Sequence, residues 1–338
     1  MINLRYHVVS ITAVFLALGI GLTLGSSFLD RVTVDNLKNR LDAVQERVDA
    51  TESENGALKG AVDALDSRDS LFSAALPERL LSGHLDEVPV LVIATSGTDD
   101  RFVAAAIGAL ASAGAQVAGT WWLTDSWALD SSNEVRRLQE ALAVSTSDVD
   151  RLRQISATQL GDILMAASQP PVAVADPSAA PAEMPAAAEP PLLAALKGAG
   201  FVDYTTPSGA GDPVLLPAAS ARYVVVSNAP PGSGGQLFAS GVLERMVQDG
   251  VAPVVAAQGA VELPKSVKPS EDARRTTFVG PLRDGELTRD RLSTIDDLDT
   301  AAGLAALVLA VEDLGVPVIG HYGSSSSSSR LLPPARPG

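Results

Sequence analysis

No proline occurs between Tyr6 and Leu76, and this constrains the fold more than any other feature of the chain. Proline breaks helices, so a long stretch without it is free to stay helical. The first third, Tyr6 to Leu29, carries no formally charged residue, and the rest is charged but keeps a regular apolar rhythm. The stretch predicts one long helix. Its first part, residues 6–29, is long enough to cross a bilayer, since roughly 20 apolar residues at about 1.5 Å each span the hydrocarbon core. The competing reading is a cleaved signal peptide with Thr23 and Gly25 before the cut. Signal h-regions are usually about 7–15 residues, and this run is longer. Arg5 precedes the span, while Asp30 and Arg31 cancel after it. The positive-inside rule therefore expects residues 1–5 as a cytoplasmic stub and the bulk of the chain outside. Gly21 and Gly25 form a G-x-x-x-G pair, which either lets two span helices approach or is simply glycine in a membrane helix.

From Val34 onward apolar residues recur by threes and fours. The a positions are Val34, Leu41, Val48, Asn55, Val62, Asp69 and Leu76, and the d positions are Leu37, Val44, Thr51, Leu58, Leu65 and Phe72. Ten of these thirteen are apolar, far more than a solvated helix would carry, so residues 30–77 are expected to form a coiled coil. Val at a with Leu at d favours a parallel dimer, and Asn55 at an a position suits register control. Two other readings stand beside the homodimer: a stripe packed on the chain's own globular part, and a coiled coil with a different protein. Thr51, Asn55, Gly56 and Gly60 weaken the middle of the seam, where such a partner helix could compete. Pro77 is expected to stop the helix.

Beyond it, residues 84–322 alternate strands with helices. Val88 to Thr95 reads as a buried strand, Phe102 to Ala113 as a helix and Val117 to Leu123 as a strand, giving a βαβ unit. Adjacent Trp121 and Trp122 should face opposite sides of the sheet. Helices are expected at 133–144 and 148–167, then a mobile Ala/Pro-rich loop at 169–191. Tyr223 to Ser227, Gln236 to Gln248 and Ala252 to Ala257 make a second βαβ unit, and Thr276 to Val279 a short strand. Ile295 to Thr300 leads into a helix from Ala301. The fold expected is an α/β domain with a Rossmann-like or flavodoxin-like, mostly parallel sheet. Residues 323–338, with six consecutive serines, read as a disordered tail.

Composition narrows the chemistry. The chain of 338 residues has a net charge of −15, which repels nucleic acid and anionic headgroups from its soluble part. Absence of Cys excludes disulfides, thiolate metal sites and Cys nucleophiles, and three His and four Met limit soft-metal ligation. The Gly-rich loop Asn228 to Gly235 lies between a strand and a helix, where phosphate can bind. Gly232 and Gly234 give G-x-G, but Leu237 breaks G-x-G-x-x-G and no P-loop lysine follows, which favours a plain connection. Asp296, Asp297 and Asp299 precede a helix. They are candidate cation ligands or acid–base groups, or else Asp299 or Thr300 merely caps the helix. A triad of Ser96, His321 and Asp297 lacks the G-x-S-x-G elbow. No catalytic set and no metal or cofactor site is expected.

INLRYHVVSITAVFLALGIGLTLGS at the N-terminus, the strand VPVLVIATSGT, the late segment STIDDLDTAAGLAALVLA and the closing GHYG carry a resemblance. With the heptads, they make the chain similar to the actinobacterial MctB family of copper transporters, also known as outer-membrane copper channel proteins. The resemblance implies copper efflux or homeostasis in the cell envelope, with copper as the ligand on that ground alone. Members of the SteB type imply something else: association with the division machinery and control of a peptidoglycan hydrolase. The residues fit these roles unequally. Copper transport calls for clusters of Cys, Met or His, and a membrane barrel for strands of about ten alternating residues. A membrane-anchored coiled coil bearing an acidic domain is what a scaffold needs, with a wall hydrolase or divisome protein as partner.

Overall fold

The computed structural model describes residues 4–170, 190–206, 216–217, 219–261, 277–316 and 318–334, and within the first helix the side chains of 5–25, 36–65 and 67. Most of the Ala/Pro-rich loop, Thr276, the last four residues and the side chains of Val34 and Phe72 lie outside that description. The chain divides into two compact units, residues 1–68 and 69–338.

Helix α1 runs from Leu4 to Leu80 as one element. It continues past Pro77, where the sequence expectation ended it. Pro77 lacks the N–H of one i→i−4 bond, and only Glu78, Arg79 and Leu80 follow it in the helix. Arg5–Gly25 is long and apolar enough to cross a membrane, and its side chains are exposed. Further along, Leu37, Leu41, Val44, Val48, Leu58, Val62 and Leu65 are also exposed.

The second unit is built on a seven-stranded sheet, β1 (Pro89–Thr95), β2 (Gln116–Leu123), β3 (Val202–Thr205), β4 (Arg222–Val226), β5 (Val254–Ala257), β6 (Ser293–Ile295) and β7 (His321–Tyr322). The order is β3-β2-β1-β4-β5-β6-β7, parallel throughout except that β3 runs antiparallel to β2. This is the Rossmann order extended by one strand, with its reversal between β1 and β4.

Both faces are covered, which is why the central strands read as unbroken apolar runs. Leu91, Ile93, Trp121, Tyr223 and Val225 face one side. There they meet α3 (Ser132–Leu142), α4 (Val149–Ala167), α5 (Pro191–Gly198), α6 (Gly234–Val247) and α7 (Val279–Asp284). Val90, Val92, Ala94, Val224 and Val226 face the other, against α2 (Asp100–Ser112) and α8 (Ala301–Glu312). Trp121 and Trp122 split between the two sides as the strand period requires. α3 opens with a capping box: Ser131 Oγ accepts from Glu134 N at 3.2 Å, and Glu134 Oε2 accepts from Ser131 N at 3.0 Å.

Two expectations fail here. Val279 begins α7 instead of closing a strand. The cause is tertiary, because Gln258 Oε1, from the end of β5, accepts from Phe278 N at 2.8 Å and Val279 N at 3.2 Å. Such side-chain acceptors satisfy the free donors of a helix start. The serine run is likewise no loose tail. Arg330 forms a bridge with Tyr322, Ser329 N donates to His321 O at 2.7 Å, and Ser325 is buried.

Candidate functional site

Four places were candidates for chemistry. The first is the crevice where the strand order reverses, the usual ligand position of such folds. Its polar groups bond to one another. Thr95 Oγ1 meets Ser227 Oγ at 2.7 Å and Thr98 Oγ1 at 3.0 Å, and Asn228 Oδ1 accepts from Asp99 N at 2.8 Å. The Gly-rich loop beside it is tied down as well. Ser233 caps α6, and Gln236 Oε1 accepts from Gly232 N at 3.1 Å. Gly232 has φ +79° with open space around it, so a turn requires glycine there. Gly234 has a different reason: a Cβ would overlap the backbone nitrogen of Ala128. The 3-10 turn Asp125–Ala128 lies on the start of α6, with Trp127 stacked on Phe238 at 3.4 Å between ring centres. Arg153 clamps this turn by donating Nε to Trp127 O at 3.0 Å and Nη2 to Ala128 O. At Gly234 the glycine signal is thus one of close packing against the protein's own turn, and at Gly232 one of backbone conformation.

The second is the acidic group after β6, whose three members part company. Asp299 is exposed. Asp297 is buried, its carbonyl accepting from Thr300 N at 2.9 Å and Thr300 Oγ1 at 3.0 Å. Thr300 is the cap of α8. Asp296 is fully buried and paired with buried Arg283 at 2.7 Å. Among the described residues, no group of three or more His, Cys, Asp or Glu is placed to hold a metal ion. Nor does the paper triad assemble. His321 Nδ1 meets Thr294 Oγ1 at 2.9 Å on edge strand β7. Ser96 follows β1, four strands away, or roughly 19 Å at the usual strand spacing.

The third place was not foreseen. The serine run folds over the Arg283–Asp296 pair as a strap. Arg283 Nη1 donates to Ser325, Ser327 and Ser328 Oγ at 3.0, 2.8 and 3.2 Å, its Nε to Thr294 Oγ1 at 2.8 Å and its Nη2 to Tyr322 O at 3.1 Å. Asp296 accepts from Ser325 Oγ, from Ser328 Oγ at 2.6 Å and from Ser324 N at 3.0 Å. Gly323 makes the turn at φ +133°, and a Cβ there would strike the carboxylate. Burial pushes the Asp296 carboxyl up, but bonds from Ser325, Ser328 and Arg283 outweigh it and hold it below the ordinary value. His321 is pushed down by burial and then by the Arg283 charge. Nothing local in the sequence pairs these residues; the only available signal was a low-complexity serine run directly after a strand.

A histidine whose folded value is depressed stays neutral in the fold, while the unfolded chain takes up a proton near pH 6.5. Its stabilisation is complete above about pH 6.5 and declines as pH falls toward the lower folded value. Urea midpoints are expected to drop between pH 7.5 and 5.5, and His321→Asn to flatten that drop. Asp296 contributes over a separate range: its share is full above the ordinary 3.8 and is lost only as pH falls through its lowered folded value. An identical pH slope in His321→Asn would assign the drop to other groups.

The fourth place is the exposed apolar stripe of α1, where Thr51 satisfies its hydroxyl internally by donating to Arg47 O at 2.7 Å. Residues 1–333 match the family described as "Copper transport outer membrane protein, MctB". The chain belongs to the MctB family. Two proteins named "Copper transporter MctB", from Mycobacterium tuberculosis (strain ATCC 25618 / H37Rv) and Mycobacterium bovis, are each 29% identical over 332 residues, covering 96% of both chains. The Mycobacterium leprae protein of that name is 27% identical over 342 residues, covering 99% of this chain and all of its own. The MctB match takes in the apolar helix, the sheet and the serine strap alike.

Proposed function

We propose that this chain is a membrane-anchored protein of the cell envelope that acts in copper homeostasis, with copper efflux as its role. The observation that carries this reading is the MctB match over residues 1–333, with relatives named as copper transporters aligned along nearly their whole length. The apolar segment Arg5–Gly25 supports a single-pass anchor, with Arg5 on the cytoplasmic side and the α/β unit beyond the membrane. Copper is cargo in this reading. With no Cys, three His and four Met, the chain offers copper no thiolate ligand. The test is a deletion strain. It is expected to stop growing at lower copper than its parent and to recover when this chain is restored. Equal tolerance across the copper series would sink the reading.

A second reading is favoured by one observation, the exposed apolar stripe of α1. In it the chain is a coiled-coil scaffold of the division machinery that binds and regulates a peptidoglycan hydrolase. Normal copper tolerance combined with a cell-separation defect in the same strain would support this alternative.

A further inference from the structure

α1 leaves an apolar stripe uncovered at Leu37, Leu41, Val44, Val48, Leu58, Val62 and Leu65, which are 44–64% exposed. Side chains of this kind each gain about 1.5–3 kcal/mol on full burial, so a stripe of seven is a strong drive toward a partner. The charges beside it say which partner. When two copies lie parallel and in register, each g position meets the e position of the next heptad on the other helix. Arg47 then faces the partner's Glu52, Glu54 faces the partner's Lys59, and Arg40 faces the neutral Gln45 of the partner. Two contacts are attractive and none repels. Asn55 meets the partner's Asn55 across the core, where the two amides can bond to each other. Thr51, the other polar seam residue in this segment, needs no such help, because its hydroxyl is already bonded within its own helix.

An antiparallel pair centred on the same segment fares worse. It sets Glu52 against the partner's Glu52 and Glu54 against the partner's Glu54, and leaves Asn55 opposite the partner's Thr51. The apolar segment Arg5–Gly25 on the same helix adds a geometric reason. Copies inserted alike in one membrane present their helices with the same polarity.

We infer that the occupant of this stripe is a second copy of the chain, parallel and in register about Asn55. The inference rests on the proposed reading of α1 as a membrane-anchored helix, but its test is read separately from copper tolerance.

The natural chain has no Cys, so single substitutions each give one thiol per copy. Full-length Val48→Cys and Leu58→Cys, oxidised with diamide in native membranes, are expected to form disulfide-linked dimers, since facing core positions fall within the roughly 4.4–6.8 Å Cα window of a disulfide. Ala50→Cys, on the outer face, is expected to stay monomeric. Arg47→Glu is expected to lower the dimer yield of Leu58→Cys, and adding Glu52→Arg to restore it. Dimer yields at 48 and 58 no higher than at 50 would overturn the second copy as occupant. Linkage only between a Val48→Cys chain and a co-expressed Leu58→Cys chain would overturn the parallel arrangement. If charge reversal leaves the yield unchanged, or its loss is not rescued, the register is wrong. Failure of any of these leaves the copper phenotype standing on its own.

Discussion

Asp296→Ala is expected to destabilise the α/β unit by about 3–5 kcal/mol, the usual cost of removing one partner from a buried ion pair. The side chains of Arg283 and Asp296 are 2% and 0% exposed, so no solvent screens what remains. Without the carboxylate, a guanidinium stays buried with only neutral acceptors, and Ser325 and Ser328 lose the strongest acceptor within reach. Fully satisfied buried networks hold a fold well, and partly satisfied ones hold it badly. Urea unfolding followed by tryptophan fluorescence reads this directly, since Trp121 and Trp127 are buried in the same unit. A loss under about 1 kcal/mol would mean that the pair is more wetted than its burial indicates.

The matching double variant separates pairing from packing. Replacing both partners with apolar residues of similar volume is often close to neutral, so Arg283→Met with Asp296→Leu is expected to recover much of the loss. Removing Ser324 onward should behave differently. That truncation deletes the hydroxyls around an intact pair and also uncovers β7, whose His321 carbonyl accepts from Ser329 N and Arg330 N. An intermediate loss is expected, together with an exposed sheet edge, a known route to aggregation.

Legibility in the sequence tracked how local each cause was. The 3.5-residue rhythm of α1 and the unbroken apolar runs of β1, β4 and β5 are local patterns, and they led to one long helix and to strands covered on both faces. The antiparallel direction of edge strand β3 is not legible in the sequence, because it depends on how the chain re-enters the sheet after α5. α7 was misread because its start depends on a Gln258 oxygen about twenty residues upstream. The serine strap was misread for a related reason. Low complexity reads as lack of structure, yet the buried Asp296–Arg283 pair takes hydroxyl partners from Ser325, Ser327 and Ser328. Asp296 stands in the sequence as one of three candidate cation ligands or acid–base groups, and in the structure its carboxylate pairs with Arg283. Asp297 and Asp299 were grouped with it by proximity in sequence, and the strand-to-helix turn sends the three to different surroundings.

The glycines of the α6 loop separate packing from ligand binding most sharply. Gly234→Ala is expected to destabilise the unit by about 3 kcal/mol, the upper end for an overpacked core. A Cβ there meets backbone, not a movable side chain, and Arg153 holds that backbone from the other side. Either the 125–128 turn lifts off α6 or α6 shifts on the sheet, and both disturb the Trp127–Phe238 stack. The near-ultraviolet circular dichroism of Trp127 should therefore weaken along with stability. Gly232→Ala meets no neighbouring atom and carries only the strain of a left-handed residue, about 1–2 kcal/mol. A phosphate cradle would reverse the emphasis, because its glycines let backbone approach a ligand, and inorganic phosphate would raise the unfolding midpoint of the natural chain but of neither variant. The geometry predicts no phosphate effect on any of the three and the larger loss at Gly234. That outcome would explain Gly234 by its packing against the chain's own 125–128 turn, with no ligand needed.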